Sequence, residues 1–165
     1  MLPATANSPA LEEIGARLVG LVPQLVRLLA TAMHAAPHTA GMTLPQFRVL
    51  ARLHERDYRA SELAACLEIG RPTLTTLADA LERRGLIERV RDLPDDRRGV
   101  RLRLTAAGET LYRALQAQAI AAAAQLVRDA SPAERAALVQ GLAALERGLQ
   151  RSQLDTRPAN SEGSE

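Results

Sequence analysis

The chain has 165 residues, of which 47% are hydrophobic and 24% are charged. This length suits a single domain over residues 1–165 with a core of its own. The formal net charge of +2 excludes a polycationic protein, and the single cysteine excludes an intramolecular disulfide framework. We expect a soluble, cytoplasmic protein without a membrane partner, because the N-terminus lacks a signal-peptide pattern and no apolar run approaches membrane-spanning length.

The first predicted element is an α-helix within residues 8–36. Ser8 is a suitable N-cap, and Pro9 is a suitable first helical residue. Apolar residues then recur at alternating spacings of three and four, which predicts a narrow apolar seam along one side of the helix. The seam consists of Leu11, Ile14, Leu18, Leu21, Leu25 and Leu28.

A capping-box pattern opens a second helix, "TLPQFRVLARLHE". Thr43 and Gln46 have the spacing at which each side chain can bind the other residue's backbone N–H group. The residues that this helix is predicted to bury are Phe47, Leu50 and Leu53.

Two further helices are separated by a short turn. The first, "ASELAACLEI", is predicted to direct Leu63, Ala64 and Leu67 inward. Gly70, in the turn, can adopt the dihedral angles of a tight corner. The second helix, "PTLTTLADALERRG", ends at Gly85 as its C-terminal cap. Its predicted core residues are Leu74, Leu77 and Leu81.

Two strands, "LIERVR" and "VRLRLT", are joined by the loop "DLPDDRRG". Val100, Leu102 and Leu104 alternate with polar residues, which predicts a half-buried edge strand of a β-hairpin. Arg101 and Arg103 then lie on the face away from the apolar side.

Two helices within residues 105–151 complete the predicted fold. Thr105 caps the first of them, and "SPAE" at residues 131–134 combines an N-cap serine with a capping-box glutamate. The last helix places leucines at spacings of four, three and four: Leu138, Leu142, Leu145 and Leu149. Residues 152–165 are polar and small, which predicts a disordered tail.

This order of elements is typical of a winged helix-turn-helix protein, with the DNA-binding region at residues 43–104. The stretches "TLPQFRVLARL", "SELAACL", "PTLTTLADALERRGLIER" and "DDRRGVRLRLTAAG" resemble successive motifs of the multiple-antibiotic-resistance regulator (MarR) family. The resemblance implies a mainly α fold with a small β-hairpin wing, flanked by N- and C-terminal dimerisation helices. It also implies a homodimeric, cofactor-free transcriptional repressor, which a small-molecule effector releases from a pseudo-palindromic operator in double-stranded DNA.

The predicted DNA-binding surface combines the second helix of the helix-turn-helix with the wing. Residues 71–103 contain nine arginines and six acidic residues, so positive charge is concentrated there. By resemblance, Asp96 braces an arginine of the loop, while Arg97 or Arg98 enters the minor groove. The alternative is an ordinary solvated surface. The predicted contacts are Arg71, Pro72, Thr73, Thr75, Thr76, Arg83, Asp96, Arg97, Arg98, Arg101 and Arg103.

The leucine seams of the first and last helices are predicted to form the dimer interface. They would leave apolar surface exposed around a small winged domain, unless both seams pack within one chain. The predicted interface residues are Leu11, Ile14, Leu18, Leu21, Leu138, Leu142, Leu145 and Leu149.

The candidate effector contacts are His34, His38, Phe47 and Tyr112. His34 and His38 have the helical spacing of metal ligands, but no cysteine or acidic cluster lies near them, so the sequence favours no metal site. We expect Cys66 to be a buried structural thiol, with a redox switch as the alternative.

Enzyme motifs are absent from the sequence: it has no Gly-rich phosphate loop, no H-E-x-x-H motif and no nucleophile elbow. The sequence therefore favours a binding protein over an enzyme. An alternative function is a winged-helix dimeric adaptor that binds protein rather than DNA, and loss of binding to random duplex DNA as salt rises would distinguish the two.

Overall fold

The computed structural model describes residues 10–34, 41–91 and 100–155. These residues belong to two compact units, one ending at Ala123 and the other beginning at Ala124. The fold is mainly α with a small antiparallel sheet, as the sequence predicts. The elements are α1 (Leu11–His34), α2 (Leu44–Glu55), β1 (Tyr58–Arg59), α3 (Ala60–Cys66), α4 (Arg71–Arg83), β2 (Ile87–Arg91), β3 (Val100–Leu104), α5 (Ala106–Gln125) and α6 (Pro132–Asp155).

Helix α1 is continuous through Pro23, and its apolar residues are largely exposed, with Leu11 87% accessible. The predicted cap residues Ser8 and Pro9 lie outside the described residues. The segment Leu11–Met33 is long and apolar enough to cross a membrane by composition alone, so the expectation that no segment reaches this length is wrong. The helix nevertheless has a polar side. Successive residues are 100° apart around the helix axis, which places Glu13, Arg17, Gln24 and Arg27 on the same face. Such a helix is typical of packing against protein.

Helix α2 begins with the predicted capping box. The Thr43 backbone N–H donates to Gln46 Oε1 at 3.0 Å, and the Gln46 backbone N–H donates to Thr43 Oγ1 at 3.4 Å. Leu50 and Leu53 are buried as predicted, whereas Phe47 is only half-buried at the edge of the core.

Helices α3 and α4 form the helix-turn-helix. Leu63, Ala64 and Leu67 are buried as predicted. The turn departs from the expectation, because Glu68 adopts the left-handed conformation with φ 56°, whereas Gly70 has φ −64° and ψ 148°. The chain must reverse directly after α3, so the left-handed residue is the first one past the C-cap, and Gly70 serves instead as the N-cap of α4.

Cys66 is exposed at the end of α3, so the expectation of a buried thiol is wrong. The buried face of this short helix consists of Leu63, Ala64 and Leu67. Successive residues are 100° apart around the helix axis, so Cys66 lies beside this face and not within it.

The sheet has three strands in the order β1-β3-β2, all antiparallel. β3 is therefore the central strand, and its prediction as an edge strand is wrong. The cause is β1, whose two residues are too short to show a periodic pattern, and which places Tyr58 opposite Leu102. The alternation within β3 is confirmed at Leu102, which is buried, and Arg103, which is exposed; Val100, at the distal end, is 37% accessible.

The first turn of α5 packs closely on the turn that precedes β2. Gly85, at φ +68°, ends the α4 segment as predicted. Thr105 Oγ1 donates to the Gly85 carbonyl at 2.6 Å and accepts from the Gly108 N–H at 3.0 Å, which confirms Thr105 as the cap of α5. A Cβ atom on Gly108 would lie 1.9 Å from the Leu86 carbonyl oxygen, so only glycine fits there.

The core of the first unit lies between α2, α3, α4, the sheet and the start of α5. It is almost entirely aliphatic, and Tyr112 of α5 and Tyr58 of β1 are its buried aromatic residues. Its most fully buried side chains are Met33, Met42, Val49, Leu50, Leu63, Leu74, Leu81, Ile87, Leu102 and Leu115.

The second unit contains α6, which begins with the predicted capping box. The Ser131 N–H donates to Glu134 Oε2 at 2.8 Å, and the Glu134 N–H donates to Ser131 Oγ at 3.3 Å. The helix continues to Asp155, so the prediction of a disordered tail is wrong for residues 152–155. Gln and Leu there are good helix formers and prolong it. Residues 156–165 lie outside the described residues.

Candidate nucleic-acid interface

Helix α4 has one buried and one exposed face. Leu74, Ala78 and Leu81 are buried against the core, so the helix is anchored by an aliphatic stripe. The six α4 residues predicted to contact DNA are all exposed: Arg71, Pro72, Thr73, Thr75, Thr76 and Arg83. The structure therefore leaves this part of the predicted set on the solvent-exposed side of one helix.

The α4 threonines differ in what their hydroxyl groups bind. Thr75 Oγ1 donates to the Arg71 carbonyl at 3.0 Å, and Thr76 Oγ1 donates to the Pro72 carbonyl at 3.1 Å. The Thr73 hydroxyl has no hydrogen-bond partner among the described residues. Since the N-cap Gly70 offers no side chain, the first backbone N–H groups of α4 are left to external acceptors.

An ion-pair cluster that the sequence analysis missed joins α4 to the sheet. The Arg89 guanidinium of β2 binds the carboxylates of Asp79 and Glu82, both on α4. Asp79 and Glu82 are three residues apart and so share one side of the helix. The spacing of the two acidic residues is visible in the sequence, but only the fold brings Arg89 to that side of the helix.

The predicted arginines of β3 are not equivalent. The Arg103 Nε–H donates to Asp57 Oδ2 at 2.9 Å, so a carboxylate compensates its charge. Arg101 is half-buried, and it lies between Arg59 and Val90 in the strand register. The loop residues Asp96, Arg97 and Arg98 lie outside the described residues, so their predicted contacts stay predictions.

Arginines without a compensating carboxylate lie at both ends of α4. Within the part of the chain that the structure describes, Arg71, Arg83 and Arg84 are exposed and form no ion pair. Because Asp79 and Glu82 bind Arg89, and Asp57 binds Arg103, these carboxylates are engaged with arginines of the sheet.

Two of the predicted effector contacts lie together between α2 and α5. The Phe47 and Tyr112 rings stack with centroids 5.6 Å apart, and the His54 ring lies 4.5 Å from that of Tyr112. Burial raises the pKa of the Tyr112 hydroxyl, and the carboxylates of Glu55 and Glu109 raise it further. His38 and the side chain of His34 lie outside the described residues, so they stay predictions.

His54 and Glu109, which the sequence analysis did not single out, join α2 to α5. His54 Nδ1 lies 2.9 Å from Glu109 Oε2, and Arg113 Nη2 lies 2.7 Å from Glu109 Oε1. The hydrogen bond with His54 is the main cause that lowers the pKa of Glu109, and Arg113 contributes. The described residues contain no group of three or more histidine, cysteine or acidic side chains that could hold a metal ion.

Comparison with known proteins finds a family that this helix-turn-helix region resembles. Residues 42–100 match the MarR family. The match covers α2, β1, α3, α4 and β2 and ends at the first residue of β3, so the surface of α4 lies within the matched region.

Similar proteins agree with this match. The chain is 36% identical to the HTH-type transcriptional regulator FarR of Neisseria gonorrhoeae over 57% of its own length and 64% of that regulator. The crystal structure of RV1404 from Mycobacterium tuberculosis has a TM-score of 0.73 and 28% identity, over 88% of this chain and 97% of that one. The structure of a MarR family protein from Bacillus stearothermophilus has a TM-score of 0.72 and 26% identity, over 84% of this chain and 94% of that one. The MarR family is one of transcriptional regulators, not of enzymes.

Proposed function

We propose that this protein is a cytoplasmic, homodimeric transcriptional regulator that binds a pseudo-palindromic operator through α4 and the wing. The observation that carries the proposal is the exposed face of α4, which presents three threonines beside arginines that no carboxylate compensates. An α-helix is about 10–12 Å across and the major groove about 12 Å wide, so α4 can enter the groove with this face toward the bases.

Contacts to phosphate would orient α4 in the groove. The first backbone N–H groups of the helix are uncapped by any side chain, and such groups bind phosphate oxygens well. Arg71 lies at the same end, and Arg83 and Arg84 lie at the opposite end of the helix. Charges at both ends of α4 suit phosphates on either side of the groove. Asp96, Arg97 and Arg98 are proposed to extend the contact into the minor groove.

Dimerisation is proposed to cover the apolar faces of α1 and α6. Each face is exposed in the single chain: Leu11 and Leu21 of α1 are 87% and 48% accessible, and Leu142 and Leu149 of α6 are 49% and 63% accessible. A second copy would bury them and set two α4 helices about 10 base pairs apart.

The sign of regulation and the effector are proposed from the family resemblance. We propose a repressor that a small anionic or phenolic molecule releases from DNA. The stack of Phe47 and Tyr112 lies between α2 and α5, where a ligand could change how the DNA-binding region is held. Tyr112 is nearly fully buried, so a ligand would reach the exposed edge of Phe47 before it reached Tyr112.

Selection of bound sites from random duplex DNA tests the proposed function. We expect enrichment of one pseudo-palindromic sequence, and we expect the double variant Arg71→Ala/Arg83→Ala to lose affinity for it. Arg128→Ala is the matched control, since Arg128 is exposed in the second unit and distant in sequence from α4. No enrichment, together with no salt-dependent retention on duplex DNA, would favour a protein-binding adaptor instead.

A further inference from the structure

The exposed face of α4 presents two threonines whose hydroxyl protons are already bound. Thr75 donates to the Arg71 carbonyl and Thr76 to the Pro72 carbonyl, each four residues earlier. A threonine hydroxyl has one proton, and threonine in a helix has two favoured rotamers, of which one makes this bond. In this rotamer the exposed remainder of each side chain is a methyl group and the oxygen lone pairs.

From this geometry we infer that Thr75 and Thr76 read thymine methyl groups in the major groove. The inference rests on the proposed DNA binding and names the base chemistry of the half-site. Thymine carries a C5 methyl group in the major groove that the other three bases lack, and threonine methyl groups make apolar contacts with it. The half-site therefore contains at least one A·T pair whose thymine faces the second turn of α4.

Other groups on the same face supply polar contacts, which leaves Thr75 and Thr76 to the apolar ones. Thr73 has a hydroxyl without a partner among the described residues, and Arg71 is an exposed donor that can bind guanine. Asp79, one turn after Thr75, could otherwise accept from cytosine, but Arg89 binds its carboxylate. The polar readers thus lie at the start of α4, and the second turn offers methyl groups.

The experiment uses the full-length protein and the half-site obtained by selection. Each thymine in the half-site is replaced singly by deoxyuridine, which removes only the methyl group. We expect about a fourfold loss of affinity for each methyl that is contacted, at one or two positions. Thr75→Ser and Thr76→Ser, which also remove a methyl group, should cause a similar loss on thymine DNA and no further loss on the matching deoxyuridine DNA.

The valine variants separate methyl reading from hydroxyl reading. Thr75→Val and Thr76→Val remove the hydroxyl and keep a methyl in the same place, so affinity should stay within about twofold of the wild type. Thr73→Val should weaken binding, because its hydroxyl is the available donor. Thr110 of α5 is the matched control, since its hydroxyl donates to the Ala106 carbonyl at 2.9 Å in the same manner. Thr110→Ser and Thr110→Val should leave DNA affinity unchanged.

Two results would overturn the inference. One is a loss in the valine variants at Thr75 and Thr76 with no effect of deoxyuridine, which would assign base reading to the hydroxyls. The other is unchanged affinity in both the serine and the valine variants, which would place these threonines outside the interface. Neither result is confused with failure of the proposed function, which would appear earlier, as no enriched sequence in the selection. Thermal unfolding of each variant confirms that it is folded.

Discussion

Arg89 of β2 forms an ion pair with Asp79 of α4, and this contact joins the base of the wing to the helix that presents the threonines. Glu82 binds the same guanidinium one turn further along α4. The side chains are more than a third exposed, so the pair contributes little to global stability, under about 1 kcal/mol. Its consequence is geometric: it links β2, at the base of the wing, to the side of α4 next to the threonines.

Arg89→Ala is therefore expected to weaken operator binding several-fold while it lowers the free energy of unfolding by less than about 1 kcal/mol. Arg89→Lys should recover part of the affinity, because a lysine can bind one of the two carboxylates. Fluorescence anisotropy with operator DNA and urea unfolding measure the two effects. Equal affinities of the alanine variant and the wild type would show that the wing orientation does not depend on this pair.

Gly108→Ala is expected to destabilise the protein by at least about 2 kcal/mol. The new Cβ atom would lie 1.9 Å from the Leu86 carbonyl oxygen, which is a backbone atom and cannot rotate away. Gly20→Ala is the control: nothing lies within 4 Å of its Cβ position, so alanine should stabilise α1 by up to about 1 kcal/mol. Urea unfolding compares the two variants, and a neutral Gly108→Ala would contradict the close approach of α5 to this turn.

Leu145→Glu is expected to disrupt the proposed dimer. Leu145 is 37% accessible on α6, and a carboxylate in an apolar interface costs several kcal/mol to desolvate. A monomer engages one half-site and loses on the order of 10²–10⁴ in operator affinity. Light scattering and DNA binding are measured on the same sample, with Gln140→Glu on the same helix as the control. A Leu145→Glu protein that stays dimeric and binds normally would require another interface.

Arg98→Ala is expected to weaken binding to the operator and to random duplex DNA alike. If Arg98 contacts a phosphate, the slope of log affinity against log salt concentration should decrease by about one. Asp96→Ala should cause part of the same loss, because Asp96 is predicted to brace a loop arginine. Titrations at several salt concentrations measure the slope. An unchanged affinity of the Arg97→Ala/Arg98→Ala variant at moderate salt would contradict the minor-groove contact.

Glu109→Gln is expected to reduce stability near neutral pH more than in acid. The pKa of Glu109 lies below its usual 4.5, chiefly because of the hydrogen bond with His54, so folding favours the charged carboxylate. Its contribution is complete above about pH 4.5 and is lost as the pH falls through the lower folded value. Urea unfolding of both proteins at about pH 7 and about pH 3 measures the difference. The same difference at both pH values would show that the charge of Glu109 does not stabilise the fold.

Local patterns in the sequence predicted the elements that are stabilised by local interactions. The capping boxes at Thr43 and Ser131 and the C-cap at Gly85 depend on residues within four positions, so spacing alone identifies them. The exposed face of α4 was equally predictable from the sequence, because Leu74 and Leu81 occupy the buried side and leave Thr75 and Thr76 on the other side. The caps follow from local spacing and the exposed face of α4 from helical periodicity, and the sequence contains both.

The tertiary structure alone decided the features that depend on contacts between distant residues. β1 is too short to have a pattern, and it becomes a strand only because β3 offers it a partner, which makes β3 central. Arg89 and Arg103 look like free positive charges in the sequence, but the fold brings them to Asp79 and Asp57 and leaves the uncompensated charge on α4. Burial and charge compensation are properties of neighbours in space, so periodicity determined which face α4 presents, and the packing around it decided which side chains are free to bind.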